Sequence, residues 1–297
     1  MQTLVISICG TFVQSQWFWA CEVVHKWHSW QVLSLNVLFF RLVELNMIEI
    51  LYPYALTFLS AVLFTIYSLL LEKNVRIPET VEKKGKRIKW INIVISLTHS
   101  SLSSVSVLIC FYMDPNLASD IINNFSYESY TAASFSLGYF IHDFIHVIRH
   151  QKLKTAWEIL LHHVVVIICF GVAVTSYKYI GYVIVALLCE INSIFLHIRQ
   201  LMNMVGFSNQ CILYRINSLV NITTYILFRI CTLTWMTRWI ILHRSFLLLP
   251  VWLCGVGGMT SMTIINIVLF ARLLLKDYSF HRPIAQNFDA NRMAKLK

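Results

Sequence analysis

Seven stretches of about 20 consecutive apolar residues dominate this chain: roughly 50–71, 91–113, 130–148, 158–176, 179–203, 217–241 and 247–275. A run of that length matches the hydrocarbon core of a bilayer when coiled as an α-helix, because only a helix satisfies every backbone N–H and C=O within one segment. The expected fold is therefore all-α: a polytopic membrane bundle of about six to seven transmembrane helices. Charge supports this. Only 13% of the 297 residues are charged, about half the share usual in soluble domains. The formal charge of +10 fits loops facing an anionic leaflet rather than a nucleic-acid surface, so no nucleic-acid partner is expected.

The basic residues are unevenly placed. The loop after the first run holds Lys73, Arg76, Lys83, Lys84, Lys86, Arg87 and Lys89, and the C-terminal tail is basic as well. The third and fifth loops add Arg149, Lys152, Lys154, Arg199 and Arg215, whereas the opposite loops carry only Lys178, Arg238 and Arg244. The second loop is acidic, with Asp114, Asp120 and Glu128. The positive-inside rule then places the odd-numbered loops and the C-terminus in the cytoplasm. Asn124-Phe125-Ser126 is an acceptor sequon on the other side, too close to the third run for ready glycosylation; Asn221-Ile222-Thr223 lies within a run and is not expected to be used. The chain thus reads as three regions: an N-terminal extension over 1–46, interfacial or partly inserted; a transmembrane domain over 47–280; and a cytoplasmic basic tail over 281–297. Eight cysteines occur without a C-x-x-C pair, so they read as small apolar packing residues rather than a zinc site or disulfide framework.

Polar residues inside the runs mark helix faces turned away from lipid. The second run carries Ser96, His99 and Ser103; the third Tyr139 and Asp143, with His142, His146 and His150; the fifth Glu190, Ser193 and His197. The sixth carries Asn217, Asn221, Tyr225 and Arg229 at intervals of four, and the seventh Thr260, Thr263 and Asn266. Serine, threonine and asparagine stripes read as interhelical hydrogen bonds, Arg229 as a snorkelling residue or the partner of an acid (Asp143 or Glu190), and His150 as a cap at the interface. Asp143, His162, His163 and Glu190 stand apart. They are ionisable groups on three consecutive runs and so point to a shared cavity. His162 and His163 are adjacent, so their side chains point about 100° apart. If one faces a cavity, the other meets a neighbouring helix.

The same residues carry a resemblance. Gly138-Tyr139-Phe140 with Asp143, Trp157-Glu158 with His162-His163, and Leu187-Leu188-Cys189-Glu190 with Ser193 resemble motifs of the TLC domain family. Leu213-Tyr214-Arg215-Ile216-Asn217, Asn221, the tract Tyr225–Arg229, and Lys89-Trp90 with Ser96, His99 and Ser100 narrow it to the subgroup of TLC domain-containing proteins 1 and 2 (calfacilitin-like), over roughly 48–280. The resemblance implies a helical bundle around a lipid-accessible cavity. It implies residence in the plasma membrane, with the endoplasmic reticulum as the other site. It also implies regulation of phospholipid acyl-chain composition, limiting polyunsaturated chains and membrane fluidity. The expected partners are membrane lipids, phospholipids or acyl chains; protein partners stay open.

The resemblance assigns no catalytic step to this subgroup. Ceramide synthases share the domain and are acyl-CoA-dependent acyltransferases. Their two aspartates, three residues apart, correspond to Glu190 and Ser193 here, and the preceding histidine to Cys189. A sphingoid-base transfer is thus disfavoured while another acyl transfer stays open, with acyl-CoA as co-substrate rather than a bound cofactor. In that reading His162 or His163 is the base or acyl acceptor, and Asp143 or Glu190 orients the ring and stabilises imidazolium. The same four groups can instead bind a lipid headgroup or lock the bundle. No cofactor is expected. A di-iron site is not expected either, because the repeated H-x-x-H-H tracts that such sites use are missing. A translocon or cargo-receptor role is the more distant reading.

Overall fold

Apolar length and polar faces together determine the architecture. A computed structural model describes residues 51–294 apart from Pro53 and Asn209, with side chains as far as 276. The chain divides into two compact units, Met1–Tyr54 and Ala55–Lys297, and the helical bundle belongs to the second. The N-terminal extension over 1–46 lies outside the described residues.

The long helices are α1 (Tyr54–Asn74), α3 (Arg87–Met113), α4 (Tyr127–His150), α5 (Leu153–Ser176), α7 (Cys189–Val205), α8 (Ile212–Tyr225), α9 (Thr232–Leu242) and α10 (Leu249–Ala294). Shorter ones are α2 (Glu79–Glu82) and α6 (Ile180–Leu187). No strand occurs among the described residues. α6 and α7 form one span broken at Leu188, and α8 and α9 form another joined through a π-helical turn, Ile226–Cys231.

Among the described residues, six helical segments are long and apolar enough to cross a membrane, within the six to seven expected and one fewer than the seven apolar runs. The difference is α4. It has the length, at 24 residues, but its Ser129, Ser134, Ser136, His142, Asp143 and His146 are all buried. These lower its hydropathy while never needing to meet lipid. α4 packs against α3 and α5, α3 against α7, α7 against α8, and α10 against α5 and α9. The outer faces stay apolar, with Phe58, Leu63 and Leu69 exposed on α1 and Leu102, Val105 and Leu108 on α3.

Local signals fix the ends. Ser126 caps α4 by accepting the Ser129 backbone N–H at 3.1 Å, and Glu128 in the first turn with Arg149 and His150 in the last complement the helix dipole. α7 stops at Gly206, whose φ of 94° suits a residue without Cβ. In the 114–126 loop, Asp114 accepts the Asn124 side-chain amide at 2.6 Å, so the sequon side chain is held against the loop. Asp120 accepts the backbone N–H groups of Asn123 (3.0 Å) and Ile122 (3.2 Å); the Asn123 amide foremost keeps its carboxyl below the usual range.

Close approach of α1 to α4 depends on Gly138. A Cβ there would overlap the Thr57 carbonyl oxygen and lie 2.6 Å from Ser60 Cβ. Ser60 Oγ donates to the Phe135 carbonyl at 2.7 Å across the same contact, a small-residue interface of the kind that joins helices in lipid.

Candidate functional site

Three helices bring the ionisable residues together. Asp143 on α4 and His163 on α5 are both buried, with Oδ2 and Nε2 3.0 Å apart. A buried carboxylate needs such a partner to stay ionised. With Nε2–H donating to Asp143, Nδ1 of a neutral His163 keeps its lone pair, and Nδ1 is buried with no hydrogen-bond partner among the described residues.

Glu190, at the start of α7, is served from α3. Ser100 Oγ donates to its Oε2 at 2.6 Å, and Nδ1 of His99 stands 4.0 Å from the same oxygen. His99 is fully buried and lies flat on Tyr139, with ring centroids 3.8 Å apart and planes 9° off parallel. Neither of its ring nitrogens has a hydrogen-bond partner among the described residues.

His162 turns the other way. It is half-buried and, with Glu190, lines an apolar cavity of about 140 Å³. The walls come from Val165, Val166 and Cys169 on α5, Tyr182 and Val183 on α6, Leu233 and Met236 on α9, and Met259 and Met262 on α10. Phe140 is also in the lining, and its ring centroid lies 6.1 Å from His162 and 5.8 Å from His163. The four residues singled out from sequence thus split in two. His162 and Glu190 face the cavity, while Asp143 and His163 form a pair outside its lining.

Deeper polar contacts fasten α7 to α8. The Asn192 side-chain amide donates to the Asn221 carbonyl and Oδ1 and to Thr224 Oγ1, each at 3.0 Å. Asn221 is fully buried, so its sequon is a packing element. Arg229 departs from expectation. Its bonds go to Ser193 Oγ (2.8 Å) and Asn266 Oδ1 (3.0 Å) rather than to Asp143 or Glu190. Neither acid is free for it: one pairs with His163, the other with Ser100. His142 reaches Thr65 Oγ1 at 3.1 Å, and His150 binds the His146 carbonyl of its own helix at 3.0 Å. The described residues hold no group of three or more His, Cys, Asp or Glu placed to share a metal ion.

Sequence spacing puts His99 on a polar face but not against Tyr139 and Glu190. Spacing fixes which residues share a helix face, and the partner across the interface depends on packing. The signal available was the rarity of a histidine in an apolar run.

A multi-span helical membrane protein with a histidine–carboxylate centre beside an apolar cavity is the class these features define. Residues 89–275 match the model of the TLC domain. The chain is 46% identical over 202 residues to TLC domain-containing protein 2 of Danio rerio, covering 68% of this chain and 81% of that protein. It is 33% identical over 210 residues to TLC domain-containing protein 2 of Homo sapiens (70% and 78% covered), and 31% over 202 residues to TLC domain-containing protein 1 of Homo sapiens (68% and 81%). The chain belongs to the TLC domain family.

Proposed function

We propose that this protein regulates the acyl-chain composition of membrane phospholipids, limiting polyunsaturated chains and hence fluidity, and that it does so by holding lipid in the His162–Glu190 cavity. The observation that carries the reading is the cavity itself: an almost wholly apolar space between helices with two ionisable side chains at its wall. Such a space, at about 140 Å³, suits the segment of an acyl chain next to its head, and the two side chains suit the polar end. The family resemblance supplies the physiological direction and residence in the plasma membrane, and the basic loops supply the cytoplasmic C-terminus.

The buried Asp143–His163 pair favours a second reading, transfer of an acyl group from acyl-CoA. A histidine base would take the proton from an amine or hydroxyl as that group attacks the thioester carbonyl. The same proton then goes to the departing thiolate, with the carboxylate stabilising the imidazolium in between.

Comparison of phospholipid acyl profiles in cells lacking the protein and supplied with wild type or His162→Ala plus His163→Ala tests the site. The double variant is expected to leave the profile uncorrected at normal expression. Full correction would remove both readings of these histidines. Acyl transfer by the purified protein separates the second reading from the first.

A further inference from the structure

We infer that Arg229 forms an oxyanion subsite at the inner end of the cavity, which takes the charged head of a single-chain amphiphile such as a fatty carboxylate. This deepens the lipid-site reading above and rests on it for the nature of the cavity's occupant.

The guanidinium lies in the middle of a membrane span, yet its partners among the described residues are neutral: Ser193 Oγ and Asn266 Oδ1 accept from it, and the Tyr225 ring lies 5.4 Å away. Its Nε is buried with no acceptor among the described residues. Arginine stays charged under all working conditions and carries five donors, so a cation at this depth calls for a counter-charge. The nearby acids are engaged elsewhere, Asp143 with His163 at 3.0 Å and Glu190 with Ser100 at 2.6 Å. Glu190, the acid in the cavity lining, is held toward α3 by that bond.

Placement relative to the cavity comes from helix register. Glu190, Leu233 and Met262 line it. Ser193 lies three residues beyond Glu190 on α7, Asn266 four beyond Met262 on α10, and Arg229 four before Leu233. Because α9 runs opposite to its sequence neighbour α10, and α8 opposite to α7, all three steps go one turn in the same direction. Arg229, Ser193 and Asn266 therefore form a polar floor one turn beyond the apolar walls. Arg229 also sits on the π-helical turn Ile226–Cys231, an irregularity often found at functional positions. Tyr225 fixes the floor by donating to the Asn266 carbonyl at 2.8 Å.

Binding to purified protein in detergent, at alkaline pH where a fatty carboxylate is ionised, tests this with oleate, oleyl alcohol and oleoyl lysophosphatidate. Wild type is expected to prefer at least one of the two anions over the alcohol by about tenfold or more, as charge-assisted bonds to arginine do. The anion that binds identifies carboxylate or phosphate as the head. Arg229→Gln is expected to erase the preference while oleyl alcohol still binds. Ser193→Asp keeps the arginine but gives it an internal carboxylate, and is expected to erase the preference as well; it decides the matter if Arg229→Gln does not fold. Equal binding of anions and alcohol by wild type, or a preference surviving in a folded variant, would overturn the subsite. Charge-blind binding with histidine-dependent acyl profiles would remove this inference alone. Arg229-dependent binding with histidine-independent profiles would remove only the regulatory reading.

Discussion

Asp143 is the residue on which the buried polar cluster turns, because it is the acid that His163 pairs with at 3.0 Å. Replacing it with Asn keeps the shape and a hydrogen bond but loses the charge, and is expected to cost about 1–3 kcal/mol. Asp143→Leu leaves the histidine buried without its partner and is expected to cost more, about 3–5 kcal/mol. Thermal unfolding of the detergent-solubilised protein should rank wild type above Asp143→Asn and that above Asp143→Leu. A melting temperature of Asp143→Leu equal to wild type would show that the pair contributes no stability. The singularity of Asp143, His162, His163 and Glu190 was legible in sequence, since ionisable groups rarely sit in apolar runs without a partner. Their pairing was not. Helical spacing does not tell which acid meets which histidine, nor that Arg229 would find Ser193 and Asn266 instead of an acid.

Among the helices, α4 depends on close packing where others depend on apolarity. Gly138 lets α1 approach, and a methyl group at that position would collide with backbone and a short side chain of α1. Gly138→Ala is expected to destabilise by about 1–3 kcal/mol through overpacking. Gly171 on α5 supplies the contrast, since a Cβ there meets nothing within 4 Å. Gly171→Ala should be neutral or stabilising by up to about 1 kcal/mol, because alanine is the better helix former. Opposite shifts in melting temperature check both, and a loss at Gly171 equal to that at Gly138 would refute the steric account. The spans themselves were readable from run length. The break at Leu188 and the π turn at Ile226–Cys231 were not, because no proline, or glycine pair, marks either place. Leu187, Cys189 and Glu190 beside the break line the cavity, and such distortions are set by tertiary contacts rather than local sequence.

For the molecule as a whole, orientation in the bilayer is the property on which structure and sequence bear together. Helix packing gives no direction by itself, since a bundle could be inserted either way up. Charge breaks the symmetry. The loop joining α1 to α3 is densely basic, and Arg87 and Lys83 reach Glu82 and Glu79 at 3.7 and 3.3 Å, so acids nearby offset only part of that charge. The loop joining α3 to α4 carries Asp114 and Asp120 instead. On the cytoplasmic end predicted from these charges, Arg272 on α10 makes a two-pronged pair with Glu158 on α5, at 2.7 and 2.8 Å, bracing two helices that wall the cavity. Positive loops stay on the side from which the chain is inserted. A cysteine introduced at Lys84 should therefore react with a membrane-impermeant maleimide only after cells are permeabilised, whereas one at Asn116 should react on intact cells if the protein resides in the plasma membrane. Labelling of the parent chain subtracts its native thiols. Reaction at Lys84 on intact cells would invert the orientation and, with it, place the Arg229 floor toward the outer leaflet. Protection of both positions in intact cells, with Asn116 still shielded after selective opening of the plasma membrane, would move the protein to an internal membrane.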